Sequence, residues 1–349
     1  MNFFITQFTQ KKPKLLPGRR GIAAIISSFN AEMRRPAGRN DFLVSSVMSF
    51  FTKLLAGNNH INLIIANFTA MSLFFTSLNS GSNGNCYYVG SSTEAVLVDA
   101  GISCRETEKR MKTLGLDMSS VKAILVSHEH SDHTTGLTIL SKKYQLPVYI
   151  THHTLRQSQL NIDHRLVRSF SADEPLNIGS LSITAFKKLH DACDPHSFVI
   201  SDGTINIGVF TDIGIACPQV IRNFRKCHAA FLEANYCPDM LRTGNYPVHL
   251  KRRISSDTGH LSNTQALELF MKFKSRGLSH LVLSHLSENN NRPELVSELF
   301  NNQAGAVKIV VASRYEATPV YCIDAASVVT EAVEDIPIAL PAPLQLSLF

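Results

Sequence analysis

The sequence has no paired cysteines and no long hydrophobic run. Its seven cysteines are scattered singly over 349 residues, without a CxxC pair. This spacing excludes a disulfide scaffold and indicates a reducing compartment, so we expect a cytoplasmic protein. No run of about 18 apolar residues is present, which argues against a membrane-spanning helix. A hydrophobic fraction of 44% and a charged fraction of 18% are typical of a globular chain rather than a disordered one.

Basic charge is in excess only in the N-terminal part of the chain. Residues 1–70 carry nine basic and two acidic side chains, so the other 279 residues have a net charge of −1. Any contact with a polyanion must therefore come from a local patch. Segment 1–70 also lacks a sustained hydrophobic period. We expect it to be a poorly structured basic extension, translated upstream of a natural start at Met71.

Residues 71–325 alternate strand-like and helix-like patterns, with no internal repeat or long linker. Strands are predicted at 72–78, 85–90, 95–99, 122–127, 147–150, 180–187, 205–210, 228–232, 280–284, 307–312 and 319–323. Helices are predicted at about 103–114, 134–144, 152–160, 216–226, 262–275 and 292–301. Ser262 and Gln265 suit a capping box at the start of the fifth helix. We expect one α/β domain with two sheets and outer helices.

A dense group of metal-ligand side chains directly follows the apolar run 123–127. The stretch is His128-Glu129-His130-Ser131-Asp132-His133. Side chains two positions apart on an extended segment point to one side, so His128 and His130 can share one metal ion. Asp132 and His133, in the following turn, can then reach a second ion. Four such groups at the end of a buried strand are costly unless something binds them. A histidine-rich surface loop is the alternative.

The HxHxDH pattern at a strand end resembles the signature of the metallo-β-lactamase superfamily. Residues 71–325 resemble its YycJ/WalJ-like branch in three further stretches: Ser80–Asn85, Val98–Gly101 and Ser256–His260. The resemblance implies an α/β fold of the four-layer αββα type, with the metal ions at the edge of the two sheets. It also implies a metal-dependent hydrolase.

The resemblance further implies the remaining ligands. His190, Asp212 and His285 each follow a predicted strand, and His196 is a competing position for His190. One ion is expected on His128, His130, His190 and Asp212. The other is expected on Asp132, His133, Asp212 and His285, so that Asp212 bridges the two. All these donors are nitrogen or oxygen atoms, which suits two divalent ions, Zn²⁺ or Mn²⁺. Asp99 is expected to orient one of the ligands.

Two further residues are candidates for the chemical step. Glu233 ends a predicted strand and His260 precedes a helix, which resembles the Glu–His arrangement of ribonuclease Z-type phosphodiesterases. We expect His260 to act as a general acid, with Glu233 and Asp132 as the other catalytic residues. The alternative for His260 is a helix-capping or buried structural role.

The substrate is less well defined than the metal site. Lys251, Arg252 and Arg253 can bind backbone phosphates, as can Ser82 and Asn83 in the glycine-rich loop. A solvated charge run and a plain turn are the alternatives. The family branch implies 5′ to 3′ exonuclease action on DNA. A small-molecule hydrolase remains open, either a thioesterase of the glyoxalase II kind or a cyclic phosphodiesterase, and a non-catalytic metal-binding adaptor comes third.

The tail, 326–349, is expected to be flexible because Pro337, Pro341 and Pro343 argue against a helix. Its last five residues are Gln345, Leu346, Ser347, Leu348 and Phe349. They resemble the pentapeptide by which bacterial replication and repair proteins bind the sliding clamp of DNA polymerase III. The resemblance implies this clamp as a partner beside DNA, and a place in replication-linked or mismatch repair. The alternative is a tail that folds back onto its own domain.

Overall fold

The computed structural model describes residues 72–325. The N-terminal segment 1–70 and the tail 326–349 lie outside the described residues, so the expectations for them stay predictions. The described part is built on two seven-stranded sheets. The first sheet contains β1 Ser72–Asn79, β2 Cys86–Gly90, β3 Ala95–Val98, β4 Val121–Leu125, β5 Val148–Tyr149, β6 Val167–Arg168 and β14 Tyr321–Asp324. The second contains β7 Pro175–Ile178, β8 Leu181–Lys187, β9 His196–Ser201, β10 Asn206–Phe210, β11 Ala229–Glu233, β12 His280–Ser284 and β13 Lys308–Val311.

Both sheets are mixed. The first has the order β14-β1-β2-β3-β4-β5-β6 and the second β13-β12-β11-β10-β9-β8-β7. Strands β3 to β6 run parallel, as do β10 to β13, whereas the remaining neighbours pair antiparallel. The carboxyl ends of the parallel strands within each sheet therefore meet at one edge, where residues that follow the strands can converge.

Helices cover the outer face of each sheet. They are α1 Cys104–Thr113, α2 Ser131–Thr134, α3 Leu137–Tyr144, α4 His152–Ser158, α5 Pro218–Phe224, α6 Pro238–Thr243, α7 Val248–Ile254, α8 Asn263–Phe273 and α9 Pro293–Asn301, with a 3₁₀ turn at Met118–Ser120. The Ser262–Gln265 capping box is present at the start of α8, as the sequence predicts.

Alternation along the strands produces the layers. In β1, Phe75 packs between the sheets, where its ring meets Phe231 of β11 edge to face at 5.9 Å between centroids. On the opposite face of the first sheet, Leu97 packs with Met111 of α1. Leu232 on the outer face of the second sheet packs in one cluster with Phe270 of α8. The result is helix, sheet, sheet, helix, so the expected αββα sandwich is confirmed.

Every predicted strand is present, but three of the observed strands were missed. β6 has only two residues, and β7 begins with proline at the edge of its sheet, so neither has a strong hydrophobic signal. β9 is short and starts with a histidine and a serine. The predicted helix 134–144 begins later, at Leu137, because Thr135 and Gly136 separate α3 from α2. Helices α6 and α7 were also missed.

Candidate metal centre

The histidine motif follows β4, and the loop after β3 holds it in place. The backbone N–H of Ala100 donates to the carbonyl of His133 at 2.9 Å, and that of Asn85 donates to Asp132 at 2.7 Å. A Cβ atom on Gly101 would lie 1.7 Å from the carbonyl oxygen of Asp132. Only glycine permits so close an approach, so the Val98–Gly101 stretch has a direct role in positioning the motif.

Three imidazoles converge beside this turn. His128 Nε2 lies 3.0 Å from His130 Nδ1, and the same His130 atom lies 3.4 Å from His190 Nε2. These three residues form one group whose ligand atoms all lie within 4.8 Å of one another. Zinc–nitrogen bonds of about 2.0–2.1 Å in a tetrahedral arrangement separate ligand nitrogens by about 3.3 Å. The spacing therefore suits one shared ion.

A second group lies next to the first. His133 Nε2 and His285 Nε2 are 3.6 and 3.5 Å from Asp132 Oδ2. Asp212 lies between the two groups, with Oδ2 3.1 Å from His133 Nε2 and Oδ1 3.8 Å from His190 Nε2. The seven residues predicted as ligands from the sequence are thus brought together, with Asp212 between the two groups.

Four of the imidazoles are oriented in the same way. The Nδ1 atom of each faces an oxygen acceptor: Ser127 Oγ at 2.9 Å for His128, Asp99 Oδ2 at 2.7 Å for His133, the Gly259 carbonyl at 3.1 Å for His190 and Glu233 Oε1 at 2.9 Å for His285. Carboxylates and carbonyls only accept, and the Ser127 hydroxyl already donates to Asp99 at 2.8 Å, so Nδ1 of each ring carries a proton. In the neutral form of each ring, the Nε2 lone pair is then directed into the site, which is the usual arrangement of metal-binding histidines.

Left-handed backbone conformations aim three of these groups. Asp99, Asp212 and His285 have φ values of 63°, 55° and 55°, and each lies just beyond the end of a parallel strand. Such conformations cost a non-glycine residue of order 1–3 kcal/mol and concentrate at functional sites. Here they turn the side chains of β3, β10 and β12 toward the common edge.

The two groups differ in their electrostatics. Burial lowers the pKa of His128 well below its usual value and that of His190 to about 4, so both are neutral and able to bind metal near pH 7. Burial opposes protonation of His285 as well, but the carboxylates of Asp212, Asp132 and Glu233 outweigh it and raise the pKa to about 10. His133 is raised well above its usual pKa, as Asp212 and Asp99 outweigh its burial.

Glu233, at the end of β11, joins this centre to His260. Its Oε1 accepts from Nδ1 of His260 at 2.8 Å and Nδ1 of His285 at 2.9 Å. Its Oε2 accepts from the backbone N–H groups of Ile213 and Leu261 at 2.8 and 3.1 Å. Burial raises the pKa of Glu233, yet His260 and His285 outweigh this and lower it to about 2. With four donors on two oxygens, Glu233 positions both histidines, and its ligand atom lies within 4.8 Å of those of Asp212, His260 and His285.

Comparison with known proteins places this arrangement in a family. Residues 94–286 match the model of the beta-lactamase superfamily domain. Exodeoxyribonuclease YycJ of Bacillus anthracis is 36% identical over 230 residues, which are 64% of this chain and 86% of that protein. Exodeoxyribonuclease WalJ of Streptococcus pneumoniae D39 is 30% identical over 234 residues, 66% of this chain and 87% of that protein. The chain belongs to the metallo-β-lactamase superfamily.

Solved structures agree on the superfamily fold. The metallo-β-lactamase fold protein YhfI from Bacillus subtilis has a TM-score of 0.57 at 18% identity and covers 72% of this chain and 99% of its own. Zn²⁺-bound PqqB from Methylobacterium extorquens has a TM-score of 0.56 at 15% identity, with the same coverage. These likenesses show the fold alone. The family match and the two relatives named exodeoxyribonucleases make this chain a metal-dependent hydrolase.

The site fits divalent ions on its own chemistry. His285 Nε2 and Asp212 Oδ2 are buried and make no hydrogen bond within the described residues. Leaving a buried polar atom without a partner costs about 1–3 kcal/mol, and a bound cation removes that cost. The donors are imidazole nitrogens and carboxylate oxygens, which suit divalent metals of intermediate hardness.

The residues predicted to contact phosphate lie at the rim of the centre. Lys251, Arg252 and Arg253 are on α7, whose last residue accepts a backbone hydrogen bond from His260 at 2.9 Å. Lys251 Nζ donates to the carbonyl of Arg242 at 2.8 Å, and Arg253 pairs with Asp191, next to His190. These contacts hold part of the basic charge in place beside the candidate acid.

In the glycine-rich loop, Ser82 is exposed and Asn83 donates from its amide to the carbonyl of Arg314 at 2.9 Å. The loop residue that reaches the centre is instead Ser80, whose hydroxyl accepts the backbone N–H of His285 at 2.7 Å. The pentapeptide Gln345–Phe349 lies beyond the described range. No helix within 72–325 has the length and hydropathy to cross a membrane.

Two residues of the centre were missed by sequence reasoning. Lys188 is buried and its ammonium donates to the carbonyl of Thr211 at 2.7 Å, directly before Asp212. Asn85 lies with its amide nitrogen 3.1 Å from His133 Nε2 and 3.3 Å from Asp132 Oδ2. A lysine two residues before His190 carries no motif signal, because lysines are usually exposed and only the fold shows that this one is not.

Proposed function

We propose that this chain is a dinuclear metal phosphodiesterase that degrades DNA from the 5′ end. The observation that carries the proposal is the relationship to YycJ and WalJ, two proteins named exodeoxyribonucleases, which the chain matches over 86% and 87% of their lengths. Four overlapping groups of ligand-type side chains, two of which contain Asp212, support the use of two ions. Free thiols at all seven cysteines are compatible with a cytoplasmic setting.

The side chains have distinct roles in this proposal. One ion would be held by His128, His130, His190 and Asp212. The other would be held by Asp132, His133, His285 and Asp212. Bound Zn²⁺ or Mn²⁺ would lower the pKa of a shared water and neutralise the charge on the scissile phosphate. Glu233 holds the proton of His260 on Nδ1, so that Nε2 can carry a second proton toward the leaving oxygen. His260 is about one-fifth exposed at its side chain, so this atom can meet a substrate.

DNA contacts are proposed for α7 and the glycine-rich loop. Lys251, Arg252 and Arg253 supply a local positive patch, which a body with a net charge near zero needs in order to bind a polyanion. Ser82 and Asn83 are both exposed, and Asn83 contacts Arg314. The patch is small, so we expect weak, salt-sensitive binding by the catalytic domain alone.

The substrate class can be tested directly. The chain is incubated with Zn²⁺ or Mn²⁺ and end-labelled single- and double-stranded DNA, and in parallel with a thioester and a cyclic nucleotide. Release of labelled mononucleotide from the 5′ end is the expected result. Hydrolysis of the thioester or the cyclic nucleotide without DNA cleavage would replace the proposal by a small-molecule hydrolase, and no hydrolysis of any substrate would favour a metal-binding adaptor.

We further propose that residues 345–349 bind the sliding clamp of DNA polymerase III. Leu346, Leu348 and Phe349 are apolar anchors, and Gln345 adds an oriented amide. Tethering raises the local concentration of a weak nuclease at DNA, which fits a role in replication-linked or mismatch repair. The test compares clamp binding by the full chain and by a chain ending at Leu344. Loss of binding on truncation is expected; equal binding, or none by either, would contradict the proposal.

A further inference from the structure

A cavity of about 330 Å³ opens beside the candidate metal centre. Its wall includes Ser80, whose hydroxyl accepts the backbone N–H of His285 at 2.7 Å, and Leu286, the residue after that ligand. The remaining wall comes from the segment that follows β13 and from the start of α9. The cavity therefore adjoins the residue after His285 in the chain, although none of the proposed ligands lines it.

The cavity is electrically balanced. Arg314 and Glu288 are the charged residues in its lining, and they pair at 2.9 Å between Nη1 and Oε2. The other end of the guanidinium, Nη2, donates to the carbonyl of Leu286 at 3.0 Å. Leu286, Val311 and Ala312 supply apolar surface. Because its cation is already paired, the cavity is poorly suited to a phosphate and well suited to an uncharged group.

An exposed aromatic ring forms part of the rim. Tyr315 is 73% exposed, yet the residue makes three hydrogen bonds. Its N–H donates to Ser313 Oγ at 3.0 Å, its carbonyl accepts from Arg110 at 2.9 Å and its hydroxyl donates to Glu288 at 3.1 Å. Two of these bonds hold the backbone and one holds the hydroxyl, so the solvent-exposed ring is preorganised to stack against a planar ligand.

We infer that this cavity is a nucleobase subsite, in which a base adjoining the scissile phosphodiester stacks on Tyr315 and lies over the apolar surface of Leu286 and Val311. The inference rests on the proposed function and adds to it. A base inside a duplex cannot stack on a side chain, so the subsite requires an unpaired strand end. Stacking on an aromatic side chain is worth about 1–3 kcal/mol per base, which corresponds to about 5- to 150-fold in affinity.

The experiment compares the wild-type chain with Tyr315→Ala, Tyr315→Phe and Ile139→Ala. Ile139 lies on α3 and is 64% exposed, so it controls for loss of an exposed apolar side chain. Each protein, with Mn²⁺ bound, is given single-stranded DNA that carries either normal bases or abasic sites at its first positions. Binding of a strand with terminal 2-aminopurine is followed in parallel, since stacking quenches this fluorescent base.

Tyr315→Ala is expected to raise KM for normal DNA by about 5- to 150-fold, with kcat nearly unchanged, and to abolish quenching. It should leave the abasic substrate unaffected. Ile139→Ala should behave as wild type, whereas Tyr315→Phe, which keeps the ring but loses its bond to Glu288, should raise KM for normal DNA less than Tyr315→Ala does. An equal KM increase on normal and abasic DNA, or no effect of Tyr315→Ala, would overturn the inference. The two proposals fail separately: DNA cleavage without quenching removes the subsite, and quenching without cleavage removes the exonuclease activity while the subsite stands.

Discussion

Replacement of Glu233 by glutamine changes few atoms but disturbs two histidines at once. The carboxylate accepts four hydrogen bonds, two from imidazoles and two from backbone N–H groups. An amide has one oxygen, so its NH₂ group must face one of these pairs of donors. If the NH₂ group faced the backbone N–H groups of Ile213 and Leu261, these two buried donors would lose their acceptor, which costs about 1–3 kcal/mol of stability each.

The other orientation is cheaper because imidazoles can move their proton. His285 and His260 would then carry it on Nε2 and accept at Nδ1. For His285 this places a proton on Nε2, which faces Asp132 and is the atom proposed to bind a metal ion. Loss of such an orienting partner typically lowers metal affinity by about 10- to 100-fold. We therefore expect Glu233→Gln to fold, to bind Zn²⁺ about 10- to 100-fold more weakly and to lose most turnover.

The assay is Zn²⁺ affinity by competition with a chelator, together with chemical denaturation in the presence of EDTA to separate metal loss from unfolding. Glu268→Gln is the matched control, since that glutamate lies on the surface of α8 and its ion pair within residues 72–325 is with Lys272. It should retain wild-type affinity. A Glu233→Gln protein with full Zn²⁺ affinity and normal turnover would refute the idea that Glu233 fixes the imidazole tautomers.

Three further predictions follow from the same geometry. Asp212→Ala should abolish hydrolysis and lower metal content while the fold survives. Asp212→Asn, which tolerates the left-handed backbone better, should behave alike; two full equivalents of metal in an active variant would overturn the ligand assignment. His260→Ala should keep its metals and lose about 10²- to 10⁴-fold in turnover, whereas loss of metal would make His260 a ligand. The pKa of His285 is raised to about 10 and that of His133 is also raised, so Zn²⁺ uptake near pH 7.5 should release protons and the affinity for Zn²⁺ should rise with pH. Calorimetry in buffers of different ionisation enthalpy measures this proton release. Zn²⁺ uptake without proton release would contradict the prediction.

The elements that carry the site could be predicted from sequence because their patterns are local. A buried apolar run that ends in polar ligand-type residues indicates a strand with its carboxyl end at a site, as for β4 with His128 and β12 with His285. Edge strands such as β7 have no such signal, since half of their residues face solvent and proline occupies the first position.

Residues that act through long-range contacts could not be found in this way. Lys188 and Arg314 look like ordinary surface cations in the sequence. Lys188 is instead buried and donates to the carbonyl of the residue before Asp212, and Arg314 joins two loops at the metal centre. Nothing within a few positions of either residue predicts those partners, because Arg314 and Glu288 are 26 residues apart. The shared role of Glu233 was only half visible: its pairing with His260 was expected by resemblance, whereas its contact with His285 required the fold.

A metal titration of DNA hydrolysis tests most directly whether the chain uses two metal ions. The chain is stripped of metal with a chelator, and increasing Zn²⁺ or Mn²⁺ is added while mononucleotide release from 5′-labelled DNA is measured. With a dinuclear centre, activity should rise to a plateau at two ions per chain, and Asp212→Ala should show none at any ratio. Full activity at one ion per chain, or in the stripped protein, would contradict the dinuclear centre.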